Sequence, residues 1–173
     1  SAGMRRNFQL TDAVKKGGRG DHDVSQIHVI GAGTMGGDIA AVAAMSGFEV
    51  TLQDISADVV DRAIERARTL YERRLKAPQQ VEAAMARLRA DAGGEGLASA
   101  DLLIEAVAED LAIKKAVFAD AESKMKPGAI MATNTSAIPL EDIGAALNDP
   151  ARLIGMHFFN PVPVLPLVEV VYT

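Results

Sequence analysis

The chain has 173 residues, a formal net charge of −5 and no cysteine. That length suits one domain, and a domain of this size buries enough surface to need no disulfide or metal staple. The missing cysteines exclude a disulfide framework and any cysteine-based zinc or redox site, the acidic balance argues against nucleic acid as a partner, and no apolar run reaches the ~18 residues of a membrane span.

Residues 1–24 are polar, basic and rich in glycine, with Lys15, Lys16 and Arg19 among Gly17, Gly18 and Gly20. They read as a linker with a tag-derived start at Ser1-Ala2-Gly3, and Phe8 and Leu10 are its apolar residues. No hydrophobic stretch follows the basic residues, so no signal peptide is predicted and the expected location is the cytoplasm. Residues 25–173 form the expected domain. Ile27-His28-Val29-Ile30 is a short β-branched strand running into glycines, and Met35–Met45 is a helix of small residues ended by Gly47. A second strand, Phe48–Gln53, stops at Asp54. Ser56 then reads as an N-cap, with Val59, Val60, Ala63, Ile64, Ala67, Leu70 and Tyr71 at helical spacing behind it. Pro78 breaks that helix, a further helix is predicted over Gln79–Arg89, and Gly93, Gly94 and Gly96 mark a loop. Leu102-Leu103-Ile104 is the next strand, Leu111–Met125 a helix, Pro127-Gly128 a turn, and Ala129–Thr133 a strand. A short helix over Leu140–Leu147 precedes strands at Leu153–Phe159 and Leu167–Val171. Strands alternate with helices throughout, which predicts an α/β fold: a Rossmann-like, doubly wound, mostly parallel sheet.

Gly31-Ala32-Gly33-Thr34-Met35-Gly36 matches G-x-G-x-x-G between a predicted strand and a predicted helix, the context that gives this motif meaning. Gly31 allows the tight turn, Gly33 lets a pyrophosphate approach the backbone, and Gly36 lets helix and strand pack closely. The helix N-terminus offers free N–H groups and a positive dipole end to phosphates. Asp54 closes the second strand, where a carboxylate accepts both ribose hydroxyls and repels a 2′-phosphate. Neither Ile55 nor Ser56 offers a compensating arginine, so NAD is expected over NADP.

Asn134-Thr135-Ser136, His157-Phe158-Phe159-Asn160-Pro161-Val162-Pro163 and Leu167-Val168-Glu169-Val170 follow in close order. With Gly31–Ala40 and Ile104–Glu109, they resemble the L-3-hydroxyacyl-CoA dehydrogenase family from about residue 26 onward, and His157–Pro163 is the most specific part. The GTMGGDIA form is similar to the dehydrogenase part of multifunctional fatty-acid oxidation proteins, in which an enoyl-CoA hydratase domain comes first. The resemblance implies oxidation of a 3-hydroxyacyl-CoA to a 3-ketoacyl-CoA, with hydride passing to NAD. It implies His157 as the base, Glu169 as its orienting carboxylate and Ser136 beside the substrate oxygen and the nicotinamide. Asn160 and Glu109 would line the nicotinamide side, Lys114 would contact the cofactor, and Arg73, Arg74 and Lys76 would lie near the CoA phosphates. The family also carries an all-helical C-terminal domain that closes over substrate; the expectation is a chain cut before it, binding NAD with little or no turnover alone.

The residues themselves agree with this reading. His157 ends a predicted strand, where open α/β sheets bind ligands, and Pro161 and Pro163 force the chain to turn, bringing Glu169 back toward it. A glutamate inside an apolar strand wants a partner. Without its flanking motif, His157 would read as a hydrogen-bonded core histidine. His28 reads as packing, His22 as linker, Glu105 as a structural partner and Glu109-Asp110 as a helix start. No metal is expected, since no His, Asp or Glu cluster has ligand spacing. Two alternatives remain: a related dehydrogenase of another hydroxy acid, and a non-catalytic nucleotide-binding or assembly module.

Overall fold

The computed structural model describes residues 24–165 and 167–172. The linker reading of residues 1–24, with Phe8, Leu10 and His22, therefore lies outside the described residues except at Val24.

Seven strands form one sheet: β1 (Gln26–Ile30), β2 (Glu49–Gln53), β3 (Leu88–Ala90), β4 (Leu102–Glu105), β5 (Ile130–Thr133), β6 (Leu153–Phe158) and β7 (Val168–Val171). Their spatial order is β3-β2-β1-β4-β5-β6-β7. All pairings through β6 are parallel, and β7 runs antiparallel against β6. Five helices connect them: α1 (Thr34–Met45), α2 (Ala57–Arg74), α3 (Pro78–Arg87), α4 (Leu111–Lys124) and α5 (Leu140–Gly144).

The central strands β4 and β5 are short and apolar on both faces because helices cover both. Along β4, Ile104 belongs to the cluster under α1–α3, and its neighbour Leu103 to the cluster with Phe118 and Ala121 of α4 and Ile143 of α5. Ala132 and Met131 divide in the same way along β5. That is the two-residue period of a strand sorting its side chains between two layers. On the α1–α3 face, Leu102, Ile104, Met156 and Phe158 surround an apolar groove of about 380 Å³. Tyr71 of α2 is fully buried and donates its hydroxyl to the Ala41 carbonyl of α1 at 2.8 Å.

One expected element is corrected. The helix expected over Gln79–Arg89 ends at Arg87, and Leu88–Ala90 instead pairs with Val50–Leu52 as the edge strand β3. Leu88 is buried, and Arg89 and Ala90 are exposed. An edge strand held on one side by three residues carries too few side chains to show a two-residue period. α1 and α3 each start one residue earlier than expected, α4 ends one residue sooner, and α5 ends at Gly144 rather than Leu147.

His28 lies on β1, fully buried on the face away from α1. Its Nε2–H donates to Gln53 Oε1 at 2.9 Å, and Nδ1 accepts from the Thr51 hydroxyl at 2.7 Å. Burial lowers its pKa from the ordinary 6.5, against the opposing pull of the Gln53 bond and of Asp91. It is a packed, neutral core histidine, as its position in the strand suggested.

Candidate functional site

The strand order reverses between β1 and β4: crossovers from β1 go toward β2, and those from β4 toward β5. A crevice opens at such a switch point, beyond the carboxyl ends of the strands. The glycine loop lies there. Gly31 has φ +99°, a conformation that favours glycine, and a Cβ on it would lie 2.5 Å from the Ala106 carbonyl oxygen. A Cβ on Gly36 would lie 1.8 Å from the Gly31 carbonyl oxygen. A Cβ on Gly33 would meet nothing within 4 Å. The loop is therefore tight where it touches the protein and open above the first turn of α1. That shape fits a dinucleotide pyrophosphate set against the amides of Thr34, Met35 and Gly36, which have no carbonyl partner within the helix.

Asp54 stands at the end of β2. Its Oδ2 accepts from the Ala32 N–H at 2.7 Å and its Oδ1 from the Ser56 N–H at 3.1 Å. The carboxylate is held against the glycine loop, half-buried, with lone pairs left for a ligand hydroxyl. Sequence reasoning missed one neighbour: Arg66 on α2 reaches over α1 and donates to the Gly33 carbonyl at 3.3 Å. It lies a dozen residues past Asp54, one side chain among several arginines on α2, and nothing in local spacing singles it out.

The second half of the crevice is built by β4, β5 and β6. His157 sits on β6 directly opposite Glu169 on β7. Its Nδ1–H donates to Glu169 Oε2 at 3.1 Å, which leaves Nε2 as the ring's acceptor nitrogen. Gly155 precedes it on the same face. A Cβ there would come within 3.3 Å of Val171 Cβ, a tight contact across the ladder, and would touch His157 Nε2 at an ordinary 3.6 Å. Ser136 and His157 line one cavity of about 240 Å³, with Leu140, Glu141, Val171 and Tyr172 around it. Asn134 accepts from the Phe158 N–H at 3.1 Å and pins the end of β6 to the loop that carries Ser136. Asn160 follows β6 and is exposed.

Lys114 and Glu109 come together. The lysine on α4 is 1% exposed, 2.7 Å from Glu105 Oε1 and 3.4 Å from Glu109 Oε2. Lys114 is thus enclosed by carboxylates rather than open to the crevice. Glu105, expected to be a structural partner, is its closest contact. Arg73, Arg74 and Lys76 lie at and just beyond the C-terminal end of α2. All three are exposed, and Arg74 donates to the Pro163 carbonyl at 3.0 Å, which ties the end of α2 to the turn beyond Asn160. Among the described residues, no group of three or more His, Asp or Glu could hold a metal ion, and no helix is long and apolar enough to cross a membrane.

A family model described as 3-hydroxyacyl-CoA dehydrogenase, NAD binding domain, matches residues 26–173. The chain belongs to this family. NAD is the nucleotide of the domain. Among relatives, the fatty acid oxidation complex subunit alpha of Acinetobacter baylyi is 40% identical over 174 residues, covering 98% of this chain and 24% of that protein. The 3-hydroxyadipyl-CoA dehydrogenase of Escherichia coli is 43% identical over 153 residues, covering 86% of this chain and 32% of that protein. The crystal structure of 3-hydroxybutyryl-CoA dehydrogenase from Escherichia coli K12 superposes with a TM-score of 0.82 at 42% identity, covering 86% of this chain and 32% of that one. This member of the family thus spans about a quarter to a third of the length of these relatives.

Proposed function

We propose that this domain serves a cytoplasmic NAD-dependent enzyme that oxidises an L-3-hydroxyacyl-CoA to the 3-ketoacyl-CoA in fatty-acid oxidation. In this reading, further domains complete the active site, and the whole belongs to a multifunctional protein. The greater length of the relatives supports further domains. Similarity over 98% of the chain to a fatty acid oxidation complex subunit supports the multifunctional setting. The cytoplasmic placement rests on the bacterial relatives.

The observation that carries the reading is the His157–Glu169 contact of 3.1 Å beside Ser136, beyond the same strand ends as the glycine loop. NAD, when bound, accepts the hydride from C3. The chain's own groups do the rest. His157 Nε2 takes the proton of the C3 hydroxyl as the C3–H pair of electrons leaves, so the oxygen becomes the ketone. Glu169 accepts the Nδ1–H, keeps that tautomer and steadies the imidazolium that forms. The Ser136 hydroxyl hydrogen-bonds the substrate oxygen, and Asn160 and Glu109 line the nicotinamide side. Asp54 takes the ribose hydroxyls. Arg73, Arg74 and Lys76 offer cationic charge to the CoA phosphates.

The test is a titration of the chain with NADH and NADPH, followed by turnover of 3-hydroxybutyryl-CoA with NAD in the longer enzyme. Tight binding of NADH ahead of NADPH, with NADH production from the acyl-CoA, is expected. Binding without any production in the longer enzyme would leave a nucleotide-binding module and remove the dehydrogenase reading.

A further inference from the structure

Glu105 is a carboxylate with no exposed surface at the end of β4. Its Oε1 accepts from Lys114 Nζ and from the Val107 N–H, each at 2.7 Å, and its Oε2 accepts from the Thr133 hydroxyl at 2.7 Å. The Lys114 ammonium also lies 3.4 Å from Glu109 Oε2 and donates to the Val107 carbonyl at 3.5 Å. The other oxygen of Glu109 accepts from the Thr135 hydroxyl. One cation thus serves two carboxylates, and the formal charge of the cluster is −1. Glu105, closer and fully buried, takes the larger share of the lysine. The uncompensated charge falls on Glu109, whose side chain is 47% exposed.

That charge has a defined place. The Ala106 carbonyl packs against Gly31, so the turn leading to Glu109 walls the crevice beside the glycine loop. Thr135, which holds Glu109, precedes Ser136 in the cavity of His157. A ligand reaching from the glycine loop to Ser136 and His157 runs past Glu109.

We propose that the Glu105–Lys114–Glu109 cluster biases the redox state of the bound cofactor, its residual negative charge favouring the oxidised, cationic nicotinamide ring over the neutral reduced one. The proposal rests on the NAD reading and deepens it. Adenosine, pyrophosphate and both riboses are the same in NAD+ and NADH, so their contacts cancel in the ratio of the two affinities. The ring charge does not cancel. A unit charge at close range in a solvated crevice changes that ratio by a factor of roughly 3 to 10. Glu105 is the positioning residue of the device: by engaging Lys114 from within, it keeps the lysine from neutralising Glu109.

The experiment measures dissociation constants of the full chain for NAD+ and for NADH by calorimetry, in wild type and in Glu109→Gln, Glu109→Asp and Glu109→Lys. Thermal melts confirm that each variant is folded. The NAD+ to NADH affinity ratio is expected to fall roughly 3- to 10-fold in E109Q and further in E109K, and to stay within about twofold of wild type in E109D. A purely structural role would weaken both forms by the same factor and leave the ratio unmoved. That result overturns the proposal while the NAD reading stands. Failure of the wild-type chain to bind either form overturns both.

Discussion

His157 and Glu169 face each other across the antiparallel β6–β7 ladder, with Nδ1 3.1 Å from the carboxylate. A register shift of one residue would send the two side chains to opposite faces of the sheet. The pair therefore depends on the turn at residues 159–165 as much as on either residue. In the longer enzyme, His157→Gln should lower kcat by ~10²- to 10⁴-fold, the range for a lost general base, with NADH affinity within about twofold of wild type. Glu169→Gln should also lower kcat, because an amide offers Nδ1 a donor and favours the wrong tautomer. Steady-state rates and NADH titration check both, and unchanged turnover in H157Q would remove the base role.

Both members of this pair were legible in the sequence. A glutamate between Val168 and Val170 in an apolar run suggested a partner, and the structure supplies one in His157 although β7 itself is exposed and imposes no burial cost on the carboxylate. The glycine loop was legible for a similar reason: three glycines at fixed spacing answer three separate steric demands, and the structure shows two of them as near-contacts at Gly31 and Gly36. What local pattern does not carry is long-range assembly. Leu88–Ala90 continues the helical apolar spacing from Ala84 and becomes a strand only because β2 offers a free edge. The burial of Lys114 depends on Glu105, which is nine residues away and on a different element. Arg66 reaches Gly33 across 33 residues of sequence.

Asp54 should decide between the two nicotinamide dinucleotides. Its carboxylate is anchored by the N–H groups of Ala32 and Ser56, so it cannot swing away from a 2′-phosphate. Repulsion between anchored charges at this range is on the order of 1 kcal/mol or more even in a watery dielectric. Asp54→Asn should shrink the preference for NADH over NADPH by ~10-fold or more, read from parallel titrations. An unchanged preference would take the selectivity away from Asp54.

Gly36→Ala should abolish NADH binding. The added methyl carbon would sit 1.8 Å from the Gly31 carbonyl oxygen, and both partners are backbone, so no rotamer change relieves the contact. The loop must open, at a cost of roughly 1–3 kcal/mol or more in stability. Gly33→Ala is the informative contrast: with nothing within 4 Å of its Cβ, the fold should keep its stability while the methyl intrudes on the pyrophosphate. Urea melts and NADH titrations separate the two. Equal stability loss in both variants would contradict the geometry.

Removing one side of the Glu105–Lys114 pair should be costly. Both groups have almost no exposure; without Lys114 the Glu105 carboxylate keeps only the Val107 N–H and the Thr133 hydroxyl, and without Glu105 the lysine keeps only the longer contacts to Glu109 at 3.4 Å and to the Val107 carbonyl at 3.5 Å. Glu105→Gln or Lys114→Met should each destabilise the chain by roughly 3–5 kcal/mol, while the double change E105Q/K114M should recover part of that loss. Chemical denaturation of the three variants measures the coupling. Simple additivity would mean that the two side chains are not energetically paired.

Stability should fall as the solution is acidified below pH 6.5, and His28 should account for part of the fall. Burial lowers its pKa in the folded chain, so between its ordinary value of 6.5 and the folded value the unfolded chain binds the extra proton. Unfolding is then favoured as pH falls, by up to ~1.4 kcal/mol per pH unit for one proton. The loss begins near 6.5 and levels off below the folded value. Asp101 acts in a separate window. The Lys126 ammonium, with the N–H groups of Ser25 and Gln26, holds its carboxyl far below the ordinary 3.8, so its contribution is present above that value and is lost only in stronger acid. Urea midpoints at pH 7.5 and pH 5.5, compared between wild type and His28→Gln, isolate the histidine because other titrating groups are common to both. Wild type should lose more stability than H28Q over that interval. Equal losses would mean that His28 takes up its proton in the folded chain as readily as in the unfolded one, against the packing of Thr51 and Gln53 around the ring.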